Sequence, residues 1–325
     1  MNEKPVTLLT GFLGSGKTTF LNVLLKTRKD IKYAIIENEF GEEGIDSDLI
    51  LRAEDDIVEM NNGCLCCSLN DNLYDILNEL YKRREEFDEL VIESTGIADP
   101  AGIAAPFYTH PAIGKTFPMA RVVCLVDAQL VEDQLKETDE CAKQIAFSDV
   151  LLINKCDAVS PAYLEELKEI LRKVNPDAEI FSGSKPNYPL DEIFSVNRKK
   201  VLEQGGQHAH KDEVHQHRDH HVHEHHHHGD ITSLSFRFKE PFDIDMFYNR
   251  MFVFLQLQAK DVFRVKGVLY AGDEYKYVFQ SVGSNLSMER GVEWKEGEER
   301  LSRIVFIGKN LQPKGFEKML RQVMI

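Results

Sequence analysis

Short apolar runs alternate with stretches of helical periodicity along the first part of the chain. Continuous, β-branched runs of this kind are typical of parallel strands that are covered on both faces. The runs are Val6–Thr10, Tyr33–Glu37, Leu90–Ser94, Arg121–Asp127 and Val150–Asn154. Amphipathic helical stretches such as Lys17–Arg28 and Pro161–Val174 separate them. The pattern predicts an α/β domain with a mostly parallel, doubly wound sheet and right-handed crossovers.

The pattern changes abruptly at residues 204–230, which are rich in histidine and nearly free of apolar residues. A segment that buries so little apolar surface is expected to be a disordered linker. Strand-like and helical patterns resume after it, and they predict a smaller α+β domain. We therefore divide the chain into residues 1–203, a histidine-rich linker at 204–230, and a second domain at 231–325.

The amino-acid composition argues against nucleic acids and anionic membranes as partners. The chain has 325 residues, is 42% hydrophobic and carries a formal net charge of −15. So acidic a protein is a poor non-specific binder of nucleic acid or anionic membrane. We find no apolar run of transmembrane length and no signal-peptide pattern, and we expect a cytoplasmic protein in which disulfides are rare.

A glycine-rich motif, GFLGSGKT, occupies Gly11–Thr18 directly after the first predicted strand and opens a helix. This spacing and context are those of a phosphate-binding loop. Its backbone N–H groups would close around phosphate oxygens, Lys17 would reach the β- and γ-phosphates, and the Thr18 hydroxyl would bind Mg²⁺. The residues predicted to bind nucleotide here are Gly11, Gly14, Ser15, Gly16, Lys17, Thr18 and Thr19.

A second motif, NKCD at Asn154–Asp157, follows the strand Val150–Asn154 and indicates which base is bound. The Asp157 carboxylate can accept hydrogen bonds from the guanine N1–H and exocyclic amine, which adenine does not offer in that arrangement. Lys155 can lie along the base plane. Asn154, Lys155 and Asp157 therefore predict a guanine site, against the alternative of a strand-end turn.

Acidic residues follow two other predicted strands. Glu93 ends one of them and is followed by Gly96, so Glu93 is a candidate magnesium ligand and the Gly96 N–H a candidate contact of the γ-phosphate. The acidic stretch Glu37–Asp46 suits a switch loop, although a solvated acidic loop remains an alternative. With no arginine finger or water-positioning glutamine apparent, we expect slow intrinsic hydrolysis.

Cys64, Cys66 and Cys67 form a compact thiol cluster between these motifs. Thiolates favour soft cations such as Zn²⁺, and a single cluster without a second C-x-x-C suggests an open metal site completed from elsewhere. Glu37, Glu42 or a linker histidine are candidates for the missing ligands. A redox pair and a purely structural role are the alternatives.

The linker histidines can chelate transition metals in many registers, which predicts weak and exchangeable sites. They are His208, His210, His215, His217, His220, His221, His223, His225, His226, His227 and His228. A polar linker without a metal role is the alternative. His110 stands apart and is expected to be structural.

Taken together, the sequence resembles the CobW-like metallochaperone GTPases, which belong to the same P-loop group as the nickel-insertion GTPases of urease and hydrogenase maturation. The resemblance rests on GFLGSGKTT, ENEFGEEGID, GCLCC, ESTGIADP and NKCD in that order, with FRVKGVLY and RIVFIG near the end. It implies a P-loop fold and hydrolysis of GTP coupled to delivery of a metal, most often zinc. The sequence departs from the family at Phe181–Asn187, where Ser182 and Gly183 are the residues expected behind the guanine.

The sequence thus predicts a GTPase with GTP, Mg²⁺ and Zn²⁺ as ligands and a client metalloprotein as partner. Lys17, Thr18 and Glu93 are its predicted catalytic residues. The competing hypothesis is a zinc storage or buffering protein with residual nucleotide binding. The client, the physiological metal and the oligomeric state, with a homodimer among the options, are left open.

Overall fold

The computed structural model describes residues 3–37, 48–53, 56–61, 69–198, 231–258 and 261–325. The chain forms two compact units, Met1–Glu169 with Ala178–Arg198 and Ile170–Asp177 with Lys199–Ile325. The predicted domain boundaries fall in residues 199–230, which lie outside the described residues, so they stay a prediction.

The first part of the chain alternates strands and helices, as its apolar pattern predicts. The strands are β1 (Val6–Thr10), β2 (Tyr33–Glu37), β3 (Asp48–Ala53), β4 (Asp56–Asn61), β5 (Glu89–Glu93), β6 (Met119–Asp127), β7 (Val150–Asn154) and β8 (Glu179–Ser182). The helices are α1 (Lys17–Thr27), α2 (Leu69–Lys82), α3 (Pro100–Thr109), α4 (Pro111–Thr116), α5 (Val131–Glu137), α6 (Asp139–Phe147), α7 (Pro161–Val174) and α8 (Leu190–Ser195), with a short 3₁₀ turn at Cys156–Ala158.

These strands form one sheet in the order β4-β3-β2-β5-β1-β6-β7-β8. The six strands from β2 to β8 in that order are parallel, and β3 and β4 are antiparallel additions at one edge. The predicted mostly parallel, doubly wound fold is confirmed. Because β1, β5 and β7 are parallel neighbours or near neighbours, the residues that follow them meet at one edge of the sheet.

The core of this sheet is apolar on both sides of its central strand, and β1 is buried throughout. On one face, Leu9 and Val91 pack with Phe20 and Leu24 of α1 and with Ile193 of α8. Helix α3 packs against β1 and β6, and α6 packs against α3 and β6. Burial of these apolar faces fixes where each strand ends. It therefore also fixes the positions of the site residues at the strand ends and in the loops that follow.

The second unit contains a five-stranded antiparallel sheet in the order β12-β11-β10-β13-β9. Its strands are β9 (Ile231–Phe238), β10 (Val262–Tyr270), β11 (Tyr275–Val282), β12 (Asn285–Glu293) and β13 (Ser302–Lys309), and its helices are α9 (Ile244–Gln258) and α10 (Pro313–Arg321). A cluster of phenylalanines from strands and helices forms its core, with Phe247 and Phe279 ring centroids 4.8 Å apart. The predicted α+β architecture is confirmed.

Helices long and apolar enough to cross a bilayer do not occur in the described part of the chain.

Candidate functional site

The glycine-rich segment forms a loop between the end of β1 at Thr10 and the start of α1 at Lys17. Gly11 and Gly16 are both required there. A Cβ at Gly11, where φ is +138°, would collide with the Leu125 carbonyl oxygen of β6, and one at Gly16, where φ is +97°, would collide with the Asn154 amide. Only glycine combines this left-handed backbone with such close approach.

Lys17 lies inside the loop, with only 8% of its surface exposed. Its Nζ donates hydrogen bonds to the carbonyl oxygens of Gly11, at 2.8 Å, and Phe12, at 3.3 Å. Burial lowers the pKa of Lys17 below its ordinary value, and the nearby Glu93 carboxylate partly opposes that shift. The ammonium group is thus held against the loop, within reach of any anion that the loop encloses.

Thr18 and Glu93 meet where α1 begins and β5 ends. The Thr18 hydroxyl donates to Glu93 Oε1 at 2.8 Å, and Glu93 is itself buried. A hydroxyl and a carboxylate are oxygen ligands of the kind that Mg²⁺ prefers. The buried Ser15 hydroxyl has no hydrogen-bond partner among the described residues. These donors and the glycine cradle fit a phosphate chain and its magnesium ion.

Asn154 ties the guanine motif to the phosphate loop. It is 3% exposed, and its Nδ2 donates to the Ser15 carbonyl at 2.8 Å. Its Oδ1 accepts from the Lys155 backbone N–H at 2.8 Å and from the Tyr188 hydroxyl at 3.1 Å. The Tyr188 ring packs edge-on against Phe20 of α1 at 5.2 Å. Tyr188, which the sequence did not single out, therefore helps to hold Asn154.

Lys155 has a left-handed backbone, with φ at +58°, and turns back over the phosphate loop. Its Nζ donates to the Gly14 carbonyl at 2.9 Å and pairs with Asp127 Oδ2 at 2.6 Å. Asp127 is 1% exposed and ends β6. The ion pair fixes the lysine stem in one direction. Sequence reasoning missed Asp127, although its place at a strand's carboxyl end was a signal.

Asp157 is exposed in the turn after β7 and is held by a serine from another loop. The Ser184 hydroxyl donates to Asp157 Oδ1 and accepts from the Asp157 backbone N–H at 3.3 Å. The sequence indicated Ser182 and Gly183 for this region. Ser182 ends β8, whereas Ser184 contacts Asp157. Ser184 is therefore the serine that lies beside the Asp157 carboxylate.

Gly96 lies in the loop after β5 and is buried against the phosphate loop. A Cβ there would lie 2.7 Å from the Leu13 backbone nitrogen. Gln144 of α6 contacts this loop through two hydrogen bonds, to the carbonyl oxygens of Gly96 and Ala98. The structure thus brings Gly96 close to the phosphate loop, as its sequence position suggested.

The predicted metal residues are described only in part. Glu37 ends β2 in register with Glu93 of β5, so the two positions are neighbours across the sheet. Glu42, the three clustered cysteines and the histidine-rich tract lie outside the described residues. Within the described ranges, no group of three or more His, Cys, Asp or Glu is arranged to hold a metal ion. The thiol site therefore stays a prediction.

Comparison with known families gives two matches in succession along the chain. Residues 5–182 match the family described as CobW/HypB/UreG, nucleotide-binding domain. Residues 231–324 match the Cobalamin synthesis protein cobW C-terminal domain. The first match covers more than half of the chain and contains both the phosphate loop and the NKCD motif.

Individual proteins agree with these matches. The zinc chaperone YjiA of Escherichia coli is 34% identical over 313 residues, which are 95% of each chain. The zinc-regulated GTPase metalloprotein activator 1 of Dictyostelium discoideum is 32% identical over 286 residues, which are 75% of this chain and 58% of that protein. The solved structure of Zn(II)-bound YjiA GTPase from E. coli matches with a TM-score of 0.72 and 30% identity, covering 99% of both chains.

Proposed function

The chain belongs to the CobW family, and on that premise we propose that it is a GTP-hydrolysing metallochaperone. It carries zinc, or a related transition metal, and delivers it to a client metalloprotein. The nucleotide state controls whether the metal is held or released. We further propose that it acts in the cytoplasm and that residues 1–203 and 231–325 are its two domains, joined by a metal-collecting linker.

One observation supports this proposal: the residues proposed to bind the phosphates and those proposed to bind the base contact the same loop. Lys17 and the Thr18–Glu93 pair lie at the phosphate end, and the Asn154 amide joins that loop to the base-reading turn. A storage protein with a vestigial nucleotide fold would have no use for a buried lysine held against its phosphate loop. The contacts therefore favour the GTPase over the storage hypothesis.

At the phosphate end, Lys17 would exchange its two backbone carbonyl bonds for oxygens of the β- and γ-phosphates. A phosphate chain favours the protonated lysine, and so it offsets the lowering of the Lys17 pKa by burial. Thr18 and Glu93 would hold the magnesium ion, which supplies charge neutralisation to the phosphates when bound. The Gly96 peptide N–H would then face the γ-phosphate.

At the base end, Asp157 would accept hydrogen bonds from the guanine N1–H and 2-amino groups. The Ser184 hydroxyl donates a hydrogen bond to Oδ1 of that carboxylate and so orients the carboxylate. Lys155, held by Asp127, would lie along the base. Adenine would leave the Asp157 carboxylate without its donors, which is a costly mismatch.

The metal end is proposed from the sequence. Cys64, Cys66 and Cys67 supply thiolates, and Glu37 or Glu42 completes the open site. Glu37 lies at the end of β2, in register with Glu93 of β5. A change in the position of Glu93, the proposed magnesium ligand, would therefore act directly on a neighbouring residue that is proposed to bind zinc. Ordering of residues 37–46 by the γ-phosphate would alter the ligand set and so couple GTP to metal affinity.

The proposal is tested by measuring GTP and ATP turnover with and without Zn²⁺. We expect slow GTP hydrolysis, little ATP hydrolysis, and loss of GTP hydrolysis in Lys17→Ala with zinc binding retained. Lys136→Ala is the matched control, since Lys136 is half exposed and lies on α5. Equal turnover of ATP and GTP, or full activity in Lys17→Ala, would contradict the proposal.

The coupling is tested by titrating Zn²⁺ calorimetrically into the protein loaded with GDP or with a non-hydrolysable GTP analogue. Linkage requires that a nucleotide which changes zinc affinity is itself changed in affinity by zinc, by the same factor. We expect a difference of several-fold that disappears when Cys66 and Cys67 are both replaced by serine. Identical zinc affinities in the two states would remove the metal-release step from the mechanism.

A further inference from the structure

Helix α6 presents one fully buried amide to the loop that follows β5. Gln144 has no exposed surface. Its Nε2 donates to the carbonyl oxygens of Gly96, at 3.1 Å, and Ala98, at 3.2 Å. A carboxamide nitrogen has two N–H donors, so this single side chain holds both carbonyls. The two contacts span 48 and 46 positions of sequence, and no local motif signals them.

The loop between those two carbonyls is fixed from several sides. A turn closes it, with the Ala98 N–H donating to the Thr95 carbonyl at 3.2 Å. Gly96 packs against Leu13 of the phosphate loop so closely that a Cβ would lie 2.6 Å from the leucine side chain. Ile97, between the two bonded carbonyls, is 46% exposed. Gln144 therefore holds a loop that also packs against the phosphate loop.

The Gln144 side chain holds the loop through its amide N–H donors and not through its carbonyl oxygen. Gln144 Oε1 is buried without a hydrogen-bond partner among the described residues. Leaving a buried acceptor unsatisfied costs about 1–3 kcal/mol. A methionine of similar length would fill the same volume without that cost. What only the amide supplies is the pair of hydrogen bonds to the Gly96 loop.

We infer that Gln144 is a positioning residue for GTP hydrolysis, which holds Gly96 through its carbonyl oxygen so that the Gly96 N–H faces the γ-phosphate. This inference rests on the proposed GTPase function. A donor that is fixed in place before the reaction stabilises developing phosphate charge without the cost of ordering the loop. Only GTP has a γ-phosphate, so the effect falls on GTP binding and hydrolysis. GDP depends on the Lys17 and Asn154–Asp157 contacts, which Gln144 does not touch.

The test compares Gln144→Met with wild type in kcat, KM and the ratio of GDP to GTP-analogue dissociation constants. We expect kcat to fall about tenfold and the preference for the GTP analogue over GDP to shrink, with GDP affinity within about twofold of wild type. Gln144→Asn, which keeps the amide but is too short to reach both carbonyls, should behave in the same way and serves if the methionine variant does not fold.

Ser148→Ala is the structural control. It removes a buried hydrogen bond at the end of the same helix, from the Ser148 hydroxyl to the Gln144 carbonyl at 2.7 Å, and leaves the loop contacts in place. It should lower thermal stability without changing the GTP-to-GDP preference. The inference is overturned if the Gln144 variants keep the wild-type kcat and the wild-type preference for the GTP analogue over GDP. It is also overturned if Ser148→Ala lowers kcat and this preference as much as the Gln144 variants do. A wild-type protein that hydrolyses no GTP would instead overturn the proposed function, and this inference with it.

Discussion

At the scale of single residues, the site is organised by a few buried polar side chains that each satisfy more than one partner. Asn154 joins three segments, because it bonds the Ser15 carbonyl, its own neighbour Lys155 and the Tyr188 hydroxyl. Asp127 similarly holds the Lys155 ammonium group in place through an ion pair. Buried polar groups without partners are costly, so such networks tend to fix one arrangement.

The hydrogen bond between Ser184 and Asp157 gives a residue-scale prediction about the proposed base site. Ser184→Ala removes the hydrogen bond that orients the Asp157 carboxylate, and a lost bond to a charged group costs about 1.5–3 kcal/mol. Because Asp157 is exposed and water replaces part of the bond, we expect a weakening of GTP and GDP binding at the lower end, about tenfold. The measurement is a fluorescence titration with labelled guanine nucleotide.

The control for that prediction is Ser182→Ala, at the serine that the sequence indicated. It should bind guanine nucleotides as tightly as wild type. A larger loss from Ser182→Ala than from Ser184→Ala would return the role to Ser182.

At the scale of elements, the helices that border the site begin at defined caps. Helix α3 follows the Gly96 loop, and the Asp99 side chain accepts from the Ala101 N–H at 2.9 Å. Pro100 occupies the first helical turn, where its missing N–H and fixed φ do no harm. Helix α6 has Thr138 as its cap, which accepts from the Cys141 N–H at 3.4 Å. The caps fix where each helix starts relative to the loop before it.

The α3 cap gives an element-scale prediction. Asp99→Ala leaves the first-turn N–H groups without the side-chain acceptor, so the free energy of unfolding should fall by about 1 kcal/mol. Asp99→Ser retains an acceptor and should lose only a few tenths of that. Urea unfolding monitored by circular dichroism measures both. Equal stability of the alanine and serine variants would show that the cap contributes nothing.

At the scale of the whole molecule, residues distant in sequence are joined by a buried ion cluster in the second unit. Asp177 pairs with Lys266 at 3.2 Å and with Arg303 at 2.8 Å, and its side chain is only 9% exposed. Burial alone would raise the pKa of Asp177. The Lys266 and Arg303 charges outweigh burial, and the net shift lowers the Asp177 pKa below its ordinary value.

The ion cluster gives a whole-molecule prediction about pH. Asp177→Asn removes the negative charge between two cations, and breaking such a buried pair costs roughly 3 kcal/mol of unfolding free energy at neutral pH. A carboxyl group with a lowered native pKa stabilises the fold above its unfolded pKa, which is about 3.9. That contribution is lost as the pH falls through the lower native pKa.

The difference in unfolding free energy between wild type and Asp177→Asn should therefore be constant from pH 7 to about pH 5 and shrink below about pH 4. Urea denaturation at a series of pH values measures it. Lys239→Ala, which removes an exposed ion pair with Glu299, is a control expected to have little effect on stability. A difference that grows on acidification would show that the sign of the shift is wrong.

The sequence by itself determined the local parts of this protein. A phosphate loop is a continuous run whose glycines and lysine act through their own backbone, so Gly11–Thr18 was legible without a structure. The strand and helix order followed from apolar periodicity, and the thiol cluster was visible as spacing alone. Strands β3, β4, β8 and β12 were missed, because their apolar residues form short runs interrupted or flanked by polar and charged residues.

Only the tertiary structure decided the contacts between segments. Ser184 meets Asp157 across 27 positions, and Gln144 meets Gly96 across 48. The ion pair between Asp127 and Lys155 could be identified only once the structure showed that β6 and β7 are neighbouring strands. The physical reason is that a hydrogen bond depends on distance and direction in space, and the packing of apolar faces, not the order of residues, sets which loops meet.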